Sequence, residues 1–187
     1  MIMSLDCSTT CIGWAIFDED DLITYGRLEP TKGSLDWKGR VDNLIYQLDE
    51  LIDKYKPTQI YQEQVPMGGS GGATILSKLF YLQGALYVIE TLMNKIPVTY
   101  ITVGRWRHDI GIGTGDKNRD SKKIKSIEKA NELFDVKLEI CYTKNGTFKE
   151  SGSDDISDAI LIYASTRDKY KYKKPTVKIG RGRKVVG

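Results

Sequence analysis

Four carboxylates in this chain stand where they could do chemistry together. Asp6 closes the apolar run Met1, Ile2, Met3 and Leu5. Glu63 closes the β-rich run Thr58 to Gln62, and Asp155 and Asp158 stand three apart in the last apolar segment, SDDISDAILIYAST. Residues three apart on a helix share a face. A carboxylate at the end of a buried strand is costly unless something cationic meets it, and two like charges stacked on one helical face repel unless a cation lies between them. The cation that suits oxygen-only ligands is magnesium. Each acid also has an ordinary reading. Asp6 can cap its turn with Ser8, Thr9 and Thr10, and Asp154 and Asp155 complement a helix dipole from its first turn. Asp158, one turn later beside an apolar run, is harder to explain that way.

The elements that must position these acids follow from hydrophobic period. The first seventeen residues, MIMSLDCSTTCIGWAIF, read as a hairpin with an acid at its mouth, and Leu22 to Leu28 as a third antiparallel strand. Val41, Leu44, Ile45, Leu48, Leu51, Ile52 and Tyr55 form a helical stripe that Pro57 stops. Thr58 to Glu63 is a fourth strand, and PMGGSGG follows as the most flexible composition in the chain. Ile75, Leu76, Leu79, Leu82, Leu86, Ile89 and Met93 make a second long helix, Thr74 to Met93. Val98 to Val103 is a fifth, buried strand. Gly104 to Asp120 is glycine-broken and basic; a helix follows, N-capped by Ser121 or Asp120, with Ile124, Ile127, Ala130, Leu133 and Phe134 inward. Val136 to Tyr142 alternates as an edge strand, Thr143 to Gly152 is a polar loop, and Ser153 caps a helix reaching about Thr166. The order predicts an α/β fold. Its mixed five-stranded sheet has three antiparallel strands, then two parallel, with helices on both faces. In such a sheet the strand ends form a crevice, and a helix N-terminus laid across it brings all four carboxylates together.

Length and charge bound the answer. At 187 residues the chain fits one domain, and its apolar content of 40% includes no run long enough to cross a bilayer. The N-terminus is too short and too quickly acidic for a signal peptide, so a cytoplasmic protein with no membrane partner is expected. Three cysteines without framework spacing and a single histidine argue against disulfides and against structural zinc. The net charge of +3 hides an asymmetry: residues 167–187 hold nine bases and one acid, the preceding 166 residues 19 bases and 24 acids. An acidic body at 1–166 with a basic tail at 167–187 suits a protein that holds metal with carboxylates and touches polyphosphate with its edges.

With those residues in place, the chain resembles the RuvC-type Holliday junction resolvases of the ribonuclease H-like superfamily. The pattern is a strand ending in Asp, a hairpin restarting on Gly-Trp-Ala, a helix, a strand ending in Glu-Gln-Val, a helix, a strand, and a closing helix of the form D-x-x-D-A. DCSTTCIGWAIF and EQVPM look most like the bacteriophage branch, and the resemblance spans residues 1 to 166. It implies that Asp6, Glu63, Asp155 and Asp158 are catalytic and metal-ligating, with Asp154 an alternative to Asp155. It further implies a homodimer that nicks opposed strands of a four-way DNA junction, leaving a 5′-phosphate and a 3′-hydroxyl. Two Mg²⁺ ions about 3.5 to 4 Å apart, replaceable by Mn²⁺, would stabilise the attacking and leaving oxygens. The helix Thr74 to Met93 is the candidate dimer interface, with core packing as its other reading.

The basic residues Arg105, Arg107, Lys117, Arg119, Lys122 and Lys123 are expected to track phosphates, which positions DNA without reading sequence. In cellular RuvC proteins an aromatic wedge follows the strand-four Glu by three residues; here that position is Pro66, which favours looser cutting that includes forks and flaps. Two other classes compete. Asp6 to Gly13 also resembles the first phosphate motif of actin-like ATPases and sugar kinases, whose two lobes exceed this length. The other class is a catalytically inactive branched-DNA-binding protein, which would not need four intact acids.

Overall fold

A computed structural model describes residues 1–31, 36–65, 72–113 and 118–173. The central sheet has the order β3-β2-β1-β4-β5, formed by β1 (Ile2–Cys7), β2 (Ile12–Asp18), β3 (Asp21–Leu28), β4 (Gln59–Glu63) and β5 (Val98–Ile101). β1 pairs antiparallel with β2, β2 antiparallel with β3, and β4 lies parallel to both β1 and β5. This is the α/β mixed sheet that the sequence predicts.

Because alternate side chains leave a strand on opposite faces, β1 serves two cores at once. Met3 and Leu5 join Val41, Leu44, Leu48 and Ile52 of α1 (Trp37–Tyr55) and Leu82 and Leu86 of α2 (Gly72–Tyr87). Ser4 and Asp6 take the other face. There Ala15 and Phe17 meet Ile160 to Tyr163 of α5 (Ser153–Ala164), Ile127 and Ala130 of α4 (Arg119–Phe134), and Trp106 of α3 (Val103–Asp109).

Several elements depart from the sequence reading, each for a local reason. β5 stops at Ile101 because Thr102 turns to cap α3, its side chain accepting from the Arg105 amide, so the segment expected to be irregular begins as a helix. The second helix is α-helical only to Tyr87 and continues as a π-helical turn, Val88–Met93. Asn118, rather than Asp120 or Ser121, caps α4 by accepting from both of their amides. The expected edge strand shrinks to β6 (Cys141–Tyr142), paired with β7 (Phe148–Lys149) inside the expected loop. Residues 136–140 need no strand partner at Leu138, whose backbone N–H and C=O are both taken by the Asn131 side-chain amide. Gly152, with φ of 87°, precedes α5, and Ser153 is the first helical residue. Beyond α5 the chain folds back: Arg167 and Lys169 pair with Asp20, and the Tyr170 ring lies on Phe134. Residues 174–187, most of the expected basic tail, lie outside the described residues.

Glu90, on the π-helical turn, is completely buried, and neither carboxylate oxygen meets a donor among the described residues. Burial pushes its pKa up to about 8. The folded state therefore holds this proton more tightly than the unfolded chain does. Its contribution to stability is complete below about pH 4.5 and is lost as pH rises toward 8. Glu90→Gln should remove that loss: in urea unfolding across this range the variant gains on the native protein by up to about 1.4 kcal/mol per pH unit, and the gain levels off above pH 8.

Candidate active site

The register of the sheet places the first two acids side by side. Leu5 pairs with Gln62 in the parallel β1–β4 ladder, so Asp6 and Glu63 occupy the next rung on adjacent strands. Strands at that spacing lie about 4.8 Å apart, and both carboxylates leave the face covered by α5. The head of α5 reaches them because β2 has no side chain in its path. A Cβ on Gly13, the partner of Asp6 across β1–β2, would come within 2.1 Å of the Asp155 backbone oxygen. Glycine at this position lets the helix rest directly on the sheet.

The charges of these acids act on one another, most strongly at Asp6. The Asp6 carboxyl is pushed well above its ordinary range, first by burial and then by the charges of Glu63, Asp158 and Asp155. Glu63 is pushed up to about 7 by burial and by Asp158, against the opposing pull of the Trp106 indole and Arg107. Asp158 is raised by burial, although Arg107 pulls it down. Asp155, raised by burial and by Asp154, is the fourth member.

Each acid except Asp6 is held by a named donor. The Trp106 Nε1–H donates to Glu63 Oε2 at 2.9 Å from a fully buried ring. Arg107 Nη2 donates to Asp158 Oδ2 at 3.1 Å. Arg27 Nε lies 2.8 Å from Asp155 Oδ2, to which the Cys11 thiol also donates at 3.2 Å. Lys123 Nζ donates to Asp154 Oδ2 at 2.5 Å and to Glu150 at 2.6 Å. Asp154, the alternative to Asp155, is thus the buried half of an ion pair with α4.

Among the described residues, no three carboxylate, imidazole or thiol groups converge closely enough to hold one metal ion. The donor chemistry nevertheless fits a hard divalent cation. Asp6, Glu63, Asp155 and Asp158 offer only oxygens, they repel one another, and Asp158 Oδ1 is buried without a hydrogen-bond partner among the described residues.

The basic residues divide. Arg107 and Lys123 are turned inward onto acids, and Arg119 reaches Glu150 at 3.1 Å. Lys122 lies in the first turns of α4. Arg105 pairs with Asp109 at 3.7 Å, beside a cavity it shares with Thr99 and Lys171 rather than with the four acids. Lys117 lies outside the described residues, as do Pro66 and the glycine-rich loop after it. Trp106, Arg27 and Gly13 were not singled out from the sequence as site residues. The one available hint was a Trp between two arginines in a segment otherwise short of apolar residues.

No protein-family model matches the sequence, and no curated protein matches it. Solved structures do match. RuvC of Thermus thermophilus in complex with a Holliday junction substrate superposes with a TM-score of 0.60 at 14% identity, covering 91% of this chain and 96% of that one. The chain has the fold of RuvC. The yeast mitochondrial Holliday junction resolvase Ydc2 gives 0.53 at 18% identity over 88% of this chain and 76% of that one. The fowlpox virus resolvase, with its substrate Holliday junction DNA, gives 0.50 at 19% over 89% and 100%.

The Lys123–Asp154 pair is buried on both sides, with side-chain exposures of 14% and 4%. Lys123→Ala strands a buried carboxylate and should cost about 3 kcal/mol in urea unfolding. Combining it with Asp154→Asn should recover part of that loss, a coupling of about 1 kcal/mol or more in the double-mutant cycle.

Proposed function

We propose that this protein is a metal-dependent endodeoxyribonuclease of the RuvC type that resolves four-way DNA junctions by paired nicks. The observation that carries this reading is the placing of half-buried Asp6 and Glu63 on adjacent rungs of β1 and β4, with buried Asp158 acting on both, at the carboxyl edge of a RuvC fold. Solved proteins of this fold, from a bacterium, a virus and a mitochondrion, are Holliday junction resolvases.

In this reading Asp6, Glu63, Asp155 and Asp158 hold the Mg²⁺ ions. The metal supplies Lewis-acid stabilisation of the attacking and departing oxygens of the phosphodiester. The chain does the positioning. β1 and β4 set Asp6 and Glu63 in adjacent register, Gly13 admits the head of α5, and Trp106 orients Glu63. Arg119 and Lys122 at the start of α4 lie near the same edge and meet the phosphate backbone, and products carry a 5′-phosphate and a 3′-hydroxyl.

Paired nicking needs two sites related by symmetry, which an isologous dimer supplies. The face available for it is α2 with its π-helical extension. Ile75, Phe80, Tyr87, Val88, Leu92 and Met93 are all exposed there, Met93 to 62%. Seven-residue spacings such as Phe80 to Tyr87 continue one stripe along the helix, and a second copy of the chain is its occupant. Residues 66–71, where an aromatic wedge would sit, open with Pro66, so forks and flaps are substrates as well.

Three experiments test this. Purified protein should nick a synthetic four-way junction with Mg²⁺ and not with EDTA, and should not turn over ATP. Glu63→Gln should lose more than about a hundredfold in nicking, beyond what loss of an outer-shell partner alone would cost, while still binding the junction. ATP turnover without nicking would favour the kinase-like class, and junction binding without nicking by the native protein the inactive class. In sedimentation velocity the native protein should run as a dimer and Phe80→Asp with Leu92→Asp as a monomer; a native monomer would overturn the symmetric arrangement.

A further inference from the structure

Arg107 occupies a position in the acid cluster that a metal ion would contest. Its Nη2 donates to Asp158 Oδ2 at 3.1 Å, and its charge acts on Asp6, Glu63 and Asp158 alike. Its guanidinium lies 4.8 Å from the centre of the Trp106 ring, and that indole holds Glu63. Consecutive residues of α3 thus grip two of the acids, one by charge and one by a neutral hydrogen bond. The grip is incomplete. Arg107 Nε and Asp158 Oδ1 do not meet each other, so the pair is joined at one point rather than as a two-bond fork, and the buried Ser126 hydroxyl also acts on Asp158. A bidentate Arg–carboxylate pair would make a permanent structural tie, whereas a single bond with spare donor and acceptor capacity on both sides can be exchanged.

We propose that Arg107 is an exchangeable counter-ion. Without metal it neutralises Asp158 and keeps the acids from converging; when a divalent ion takes Asp158, the guanidinium is released and engages a DNA phosphate. This rests on the metal-dependent nuclease reading and adds to it an order of events. Metal binding and phosphate binding are linked through one side chain, because the same five donors cannot serve Asp158 and a phosphate equally well.

The test compares native protein with Arg107→Gln and Arg107→Lys, with thermal melts confirming that each variant folds. In calorimetric titration without DNA, Arg107→Gln should bind Mn²⁺ about tenfold more tightly than native protein, the scale of one partly buried ion pair removed from competition. Arg107→Lys, which keeps the charge, should stay within about threefold of native, since it retains the competitor. Junction binding is then followed against salt. In Ca²⁺ the slope of log Kd should fall by about 0.9 on Arg107→Gln, as expected when a single phosphate is no longer neutralised, whereas in EDTA native and variant slopes should coincide. Equal or weaker Mn²⁺ binding by Arg107→Gln overturns the exchange, as does an equal slope change with and without metal, which would make Arg107 a standing DNA contact. Failure of native protein to bind Mn²⁺ at all would instead overturn the metal-dependent reading beneath it.

Discussion

The constraint on which this structure depends is the cost of placing several carboxylates in one desolvated space. Burial raises the pKa values of Asp6, Glu63, Asp155 and Asp158, and their mutual repulsion adds to it. A group of acids like this persists in a folded protein only if positive charge is at hand. Here it comes from three separate elements: Arg27 on β3, Arg107 on α3 and Lys123 on α4. The three cations are matched to three acids of one helix, Asp155, Asp158 and Asp154. The head of α5 is therefore tied into the molecule on three sides, while its apolar continuation, Ile160 to Tyr163, is buried against the sheet. Packing fixes the axis of α5, and the ion pairs fix how its acidic end is aimed.

Asp6 stands apart in this scheme. It sits on a strand, where its place is set by the backbone ladder, and no ion pair to it occurs among the described residues. Glu63, one strand over, has only a neutral donor, the Trp106 indole. The two strand acids are thus the less compensated half of the cluster and the helix acids the compensated half. A cation entering the crevice gains most from the strand side and must compete on the helix side. Gly13 makes this division possible: any side chain at that position would hold α5 away from β2 and separate the two halves.

Much of this was legible in the chain itself. Runs closing on Asp6 and Glu63 and a closing D-x-x-D helix are patterns with period and position, so the mixed five-stranded sheet is readable from the sequence and the four acids can be named as candidates from it. The compensating side chains do not, because each depends on a long-range register. Arg27 meets Asp155 only because β3 pairs with β2 so that Arg27 faces Gly13. Trp106 and Arg107 face inward only because Thr102 starts a helix directly after β5, and Gly104, a poor helix former, hid that helix. Lys122 and Lys123 are neighbours in sequence, and their spacing alone does not tell which one α4 turns toward Asp154. Glu90 was passed over for the opposite reason: an isolated acid is read as a solvent-facing residue, although four-residue spacing from buried Leu82 and Leu86 puts position 90 on the inner face.

The same arrangement bears on whether metal is needed to fold. Where metal ligands have no other counter-charge, binding free energy becomes folding free energy, and the metal-free chain unfolds. This chain carries its own counter-charges. Lys123–Asp154 involves none of the four proposed ligands, so it contributes to the fold whether or not an ion is bound. The Arg107–Asp158 pair lies inside the cluster and is compatible with an ion only after it opens. On the proposed reading an internal cation separates stability from ligation, because the free energy of breaking one ion pair is subtracted from metal affinity. That subtraction is offset only when the released guanidinium finds another anion, and DNA brings a phosphate to the same edge of the sheet. On this chemistry, metal and DNA should each favour the binding of the other.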